Sequence, residues 1–139
     1  MIRYAHAGDL ADIRALWERC FPDESGFNAY FFEHLFDRNA VLLYQLDGQL
    51  AAMTQMIPYP LQLDNGETVR CTYIYGACTH PAHRKKGLMR ALLERSFVLD
   101  RALGRAGSML IPAEDWLFSF YAPFGYSFRM DWLDLLAVP

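Results

Sequence analysis

The chain has 139 residues, a formal net charge of −3, and hydrophobic and aromatic contents of 53% and 15%. That length suits one domain spanning residues 1–139, and the apolar content supplies a core, which excludes a disordered chain. The mild acidity excludes a protein that coats nucleic acid, and with no apolar run near the roughly 20 residues of a bilayer span, no membrane partner is expected.

Residues 2–6 read as a short strand. Asp9, as N-cap, opens a helix with Leu10, Ile13, Leu16 and Trp17 at helical spacing, which Pro22 ends near Phe21. A second helix is expected over Asn28–Phe36, its aromatic side chains either buried or lining a pocket. Val41–Leu46, Asp47–Gly48 and Gln49–Ile57 form a hairpin with an Asp-Gly turn. Pro58 and Pro60 interrupt its second strand and mark an edge or a bend. Thr68–Thr79 is the next strand, and Gly76 inside it signals a bulge or a close backbone approach. A helix runs from Gly87 to about Leu103, followed by a strand at Ser108–Ile111, a short aromatic helix at Trp116–Tyr121 and a last strand from about Tyr126. The unit from Thr68 to Ile111 is expected to be a parallel crossover.

Cys20, Cys71 and Cys78 are odd in number and contain no CxxC pair, so no disulfide framework is read. The opening residues MIRYAHAGD lack the apolar stretch of a signal peptide. Together these imply a reducing, cytoplasmic setting.

The stretch that carries chemistry is YIYGACTHPAHRKKGLMRALLERSF, Tyr73–Phe97. A strand ends, a basic loop turns, and a long helix begins. A helix N-terminus offers free N–H groups and a partial positive charge, so it attracts anions. Arg84, Lys85, Lys86 and Arg90 add charge, and Gly87 lets a phosphate approach the backbone. Together they suit a diphosphate. Neither GxxxxGK[ST] nor GxGxxG is present. A valine at Gly87 is expected to fold at modest cost while blocking that approach.

This stretch resembles the acyl-CoA-binding motif of the GNAT superfamily of N-acetyltransferases, in which a strand and V-x-P lead to [R/Q]-x-x-G-x-[G/A] and a helix. Arg84 and Gly87 match, while Met89 replaces a small residue. The closest resemblance is to the enhanced-intracellular-survival-like branch, through PAHRKKGLMRALL and, at Tyr121–Tyr126, YAPFGY. It implies a mixed α/β fold with a central, mostly antiparallel sheet, a parallel pair at the cofactor site and flanking helices, the last strand being shortened or missing. It implies an acetyl-CoA-dependent N-acetyltransferase acting by direct attack of an amine on the thioester. The pantetheine arm would lie along Ala77, Cys78 and Thr79. The pyrophosphate would lie on Lys85, Lys86, Gly87, Leu88, Met89 and Arg90, with Arg84 at the loop start. Tyr121 would be the general acid.

The implied acceptor is an amine of a small molecule or a peptide. Asp23, Glu24, Glu33 and Asp37 would attract its charge, or would simply form a solvated face. Glu114 and Asp115 read as helix caps or as a base. Cys78, His80 and His83 lack a fourth ligand, so no metal is expected. A homodimer through the Pro-interrupted edge is one assembly compatible with the sequence. The alternative functions are a non-catalytic acyl-CoA sensor and a generic phosphate-binding module.

Overall fold

The computed structural model describes residues 1–23, 25–112, 114 and 116–127. In chain order the elements are β1 (Ile2–Tyr4), α1 (Leu10–Cys20), α2 (Phe27–Tyr30), β2 (Val41–Leu46), β3 (Gln49–Gln62), β4 (Thr68–Thr79), α3 (Leu88–Ala102), β5 (Ser108–Leu110) and α4 (Trp116–Tyr121). The strands form one sheet in sequence order. β1 through β4 pair antiparallel, and β5 joins β4 in parallel, with Thr72 opposite Ser108 and Ile74 opposite Leu110. The mixed α/β sheet with one parallel pair is therefore as expected, and α3 is the crossover that a parallel pair requires. The expected last strand lies outside the described residues apart from its first two positions, Tyr126 and Ser127, which are not in a strand.

Both faces of the sheet are covered. Ile13, Leu16, Trp17 and Phe31 pack with Val41, Leu43 and Met53 on one side. Leu88, Leu92 and Leu93 of α3 pack with Leu42, Met56 and Ile74 on the other. Burial on both faces is why Val41, Leu42 and Leu43 of β2 are consecutively apolar rather than alternating. The second helix is real but not uniform. After α2 the chain makes one π-helical turn at Phe31–Leu35. Within this layer Trp17 stacks on Phe31 at 4.7 Å, and its indole N–H donates to Asn28 Oδ1 at 2.7 Å.

The Asp47–Gly48 turn has φ of 52° and 77°, the pair of positive values a type I′ hairpin demands. Two other expectations need correction. Asp9 sits at the start of α1 but makes no side-chain capping bond. Its carboxylate instead accepts from Arg3 at 2.8 and 2.9 Å and from the His6 N–H at 2.8 Å. These bonds hold its pKa far below the usual carboxylate range. Pro58 and Pro60 also do not interrupt β3, which runs through them opposite Thr72 and Arg70. The Thr72 N–H donates to Gly107 O, on the β5 side. Pro58 therefore occupies a non-hydrogen-bonded pair, and its nitrogen, like that of Pro60, faces the open side beyond β2. The edge reading holds, and the missing N–H groups blunt that edge against strand pairing.

Candidate active site

Between Met53–Gln55 of β3 and Tyr75–Cys78 of β4 the register slips by one residue. The extra residue is a bulge at Gly76–Ala77, as the internal glycine suggested. Gly76 has φ of +64°, and a Cβ there would stand 2.3 Å from the Trp17 ring. β5 pairs with β4 only as far as Ile74, so past the bulge β4 has an open side among the described residues. The His80 N–H donates to Ala51 O on β3. By strand alternation Cys78 also faces β3, while Ala77 and Thr79 turn their backbone groups toward the opening. The open positions of the expected trio are thus Ala77 and Thr79. Cys78 is buried in the α1-side core.

The basic loop follows. Lys85 has φ of +63° and Gly87 of +78°, and such alternation turns successive N–H groups inward as an anion-binding nest. The first helical bond of α3 is Ala91 N–H to Gly87 O, 3.1 Å. The N–H groups of Leu88, Met89 and Arg90 therefore have no partner within the helix. The Leu88 and Met89 side chains pack into the α3-side core, so Met89 does not narrow the loop. Nothing lies within 4 Å of a Cβ placed on Gly87. Arg90 is directed away from the nest, to Glu94 at 3.1 Å and over the Phe124 ring. The residues present fit a diphosphate through backbone N–H groups, with Arg84, Lys85 and Lys86 around it. The positive φ at Gly87 corrects one expectation: valine there is strained, because a side chain in the left-handed region costs roughly 1–2 kcal/mol.

Cys20 was not anticipated at this site. Its sulfur lies 3.5 Å from Thr79 O, and Arg84 Nε donates to the same oxygen at 3.2 Å. The neighbouring Cys78 thiol, itself pushed well up first by Cys20 and then by burial, and the nearby Arg84 charge bring the Cys20 thiol down to about 6. The Thr79 carbonyl, which accepts from the Cys20 sulfur at 3.5 Å, favours the protonated thiol and acts in the opposite sense. The depressed pKa gives stability that is present above the ordinary thiol range and lost as pH falls through about 6. Alkylation of native protein by iodoacetamide should follow the same titration. The Cys20 peptide is expected to label half-maximally near pH 6 by mass spectrometry, with the buried Cys71 and Cys78 unlabelled. A Cys20 midpoint near the ordinary thiol value of about 8.5 would show that its neighbours do not hold the thiolate.

Tyr121 ends α4 and lines a cavity of about 520 Å³ together with Ile74, Gly76, Ala77 and Leu110. It stands where β4 and β5 part. Burial alone raises its phenol pKa above 10, so it is a protonated hydrogen-bond donor at neutral pH. Asp23 lines the same cavity from the α1–α2 loop. Asp37 instead accepts from Asn39 N–H at 2.9 Å, and Glu33 has only a 3.8 Å contact to His34. Glu114 accepts from the Trp116 indole, and its carbonyl accepts from Leu117 N–H, in keeping with a cap. Glu24 and Asp115 lie outside the described residues. Among the described residues no cluster of three or more potential ligands could hold a metal. His80 Nδ1 already accepts from Ala82 N–H, and His83 Nδ1 contacts Lys86. No helix among them is long and apolar enough to cross a membrane.

A bulged strand with one open side leads through a basic loop into a helix whose first N–H groups have no partner within the helix, in a mixed α/β domain. Residues 1–129 match the family model described as an acetyltransferase (GNAT) domain, and the chain belongs to that family. No curated protein matches it. Among solved structures, the aminoglycoside 6'-N-acetyltransferase AAC(6')-IG of Acinetobacter haemolyticus superposes with a TM-score of 0.73 at 20% identity, covering 94% of this chain and 93% of that one. AAC(6')-Iy, in complex with a CoA bisubstrate analog, gives 0.75 at 12% identity over 94% and 92%. Eis1 of Mycobacterium abscessus gives 0.72 at 16% identity, over 87% of this chain but 30% of its own. These likenesses establish the shared fold.

Proposed function

We propose that the chain is an N-acetyltransferase that moves the acetyl group of acetyl-CoA to a primary amine of a small molecule or peptide. One observation carries this reading. Ala77, at the opening of β4, shares a cavity with Tyr121, and two residues further along Thr79 touches Arg84, where the nest begins. The names of the aminoglycoside acetyltransferases that share the fold support a small amine acceptor. The pairing of PAHRKKGLMRALL with YAPFGY supports membership of the enhanced-intracellular-survival-like branch, with residues 1–139 forming one acetyltransferase domain.

Pantetheine amides would pair with the open backbone of Ala77 and with the Thr79 N–H, the Thr79 carbonyl being taken by Arg84 and Cys20, and the pyrophosphate would sit on the N–H groups from Lys85 to Arg90. The neutral amine attacks the thioester carbon, a C–N bond forms, and the C–S bond breaks with its electron pair on sulfur. The amine loses one proton and the sulfur gains one, leaving an amide and free CoA. A free alkylamine has a pKa near 10.4, and desolvation in the cavity lowers it toward the reactive form. Tyr121 donates a hydrogen bond to the departing sulfur. Its phenol is a weaker acid than a thiol of about 8.5, so it stabilises the thiolate rather than handing over its proton.

CoA at ~100 times its dissociation constant should stabilise the parent by about 2.7 kcal/mol in a denaturation experiment. Gly87→Val should start from a lower stability and gain nothing from CoA. A parent unmoved by millimolar CoA rules out the donor site. A CoA-stabilised parent that releases no thiol from acetyl-CoA with any amine is a binding protein rather than an enzyme.

A further inference from the structure

The far side of the Tyr121 cavity, between α1, α2 and β4, takes no part in holding the donor. Its walls are aromatic. Trp17, Phe27, Tyr73 and Tyr75 line it, with Tyr73 and Tyr75 edge to face at 5.6 Å and Trp17 at 5.7 Å from Tyr75. Phe27 is 43% exposed although it stands on a cavity wall beside the Phe31 ring. Asp23 is the one carboxylate on that wall among the described residues. Its Oδ1 accepts from Ser25 N–H at 2.9 Å and Ser25 Oγ at 2.7 Å, and its Oδ2 accepts from Asn28 N–H at 2.7 Å. A carboxylate has about four lone-pair positions, and with the Phe27 N–H also contributing those of Asp23 are nearly all taken, so it meets a cation through its charge rather than through an empty hydrogen-bond position. The same bonds, with that from Asn28 the largest contributor, keep the Asp23 pKa below its ordinary value.

Resting on the acetyl-transfer reading, we propose that the acceptor is a monocationic primary amine carried on a flat apolar group, an arylalkylamine in chemical class. Its ring lies against Phe27, Tyr73 and Tyr75, and its ammonium pairs with the Asp23 charge, gives one proton to water, and then turns as the neutral amine toward the thioester. Flat rings pack on ring walls edge to face or offset, and an ammonium among ring faces is attracted by their quadrupoles. A polycation fits poorly. Among the described residues the wall offers rings rather than further carboxylates, so each additional ammonium gains no counter-charge there, whereas an apolar ring gains packing against Phe27, Tyr73 and Tyr75.

The test uses the whole chain and two readouts. Calorimetry measures 2-phenylethylamine, spermidine and neamine binding to the protein saturated with CoA, and to the free protein if CoA does not bind. Thiol release from acetyl-CoA gives kcat/KM for the same amines. 2-Phenylethylamine is expected to bind, and to be turned over, at least tenfold better than either polycation. Phe27→Lys, at an exposed position where folding tolerates the change, is expected to weaken 2-phenylethylamine at least tenfold in KM and in calorimetric affinity, with kcat little changed. Phe27→Trp is expected to restore it. Tighter binding of spermidine or neamine overturns the proposal, and so does a Phe27→Lys protein that binds 2-phenylethylamine as the parent does. If CoA fails to bind while 2-phenylethylamine still binds selectively, the acetyl-transfer reading falls and the ring-lined amine site stands.

Discussion

Replacing Tyr121 by phenylalanine is expected to lower turnover with acetyl-CoA about 10²–10³-fold, the usual loss for one hydrogen-bond donor aimed at developing charge. The ring remains, so its packing against the α3-side core and its edge contact with Phe120 at 5.0 Å persist. Stability and acetyl-CoA affinity should therefore change little. The measurement is steady-state thiol release with the best amine, beside a melt and a CoA titration of the same variant. Equal turnover in parent and variant would make Tyr121 a core aromatic and leave water to stabilise the departing thiolate. The fall should appear in kcat and kcat/KM alike, because the hydrogen bond to sulfur forms only as charge leaves the carbonyl.

Gly76→Ala should act on the fold as well as on the site. The added Cβ would stand 2.3 Å from Trp17 and 3.0 Å from the Gln55 amide, on a backbone held at φ of +64°. Trp17 is 4% exposed and has Phe31 stacked upon it, so it has little room to yield. Overpacking of roughly 1–3 kcal/mol and left-handed strain of roughly 1–2 together predict a loss of about 2–5 kcal/mol. Against a typical stability of about 5–15 kcal/mol that is a large share. Urea denaturation reads it directly. Trp17→Leu in the same chain should recover the steric part, giving a coupling between the two changes of opposite sign to the single losses. If Gly76→Ala unfolds at the parental urea concentration, the bulge is more pliable than its contacts imply.

Much of the donor side could be read from residues close together in the chain. The Asp47–Gly48 turn, the glycine inside β4 and the step from basic loop to helix at Gly87 are each set by a few neighbours, through positive φ or free N–H groups. The parallel crossover followed from the length of chain between two apolar strands. By contrast, nothing local shows that Pro58 and Pro60 remain in β3. That depends on which side of the strand faces β4, and register is decided across the pair.

Cys20 meets Thr79 O across 59 positions of sequence, and no periodicity in α1 hints at it. The acidic run after α1 was visible, but only packing singles out Asp23 at the cavity while Asp37 turns to cap its own loop. Met89 stands where the motif has a small residue, and in the fold it is partly buried against the α3-side core, since the first turn of α3 sends its side chain inward while its N–H faces the loop. The sequence by itself determined the order of elements, the bulge, the basic loop at the start of α3 and the position of Tyr121 in its motif, because turn geometry and helix ends are settled within a few residues. The tertiary structure alone decided which backbone groups of β4 stay open, that Cys20 and Arg84 share the Thr79 carbonyl, and that rings from α1, α2 and β4 face one carboxylate. Those arrangements arise only when distant segments bury their apolar faces against the same sheet.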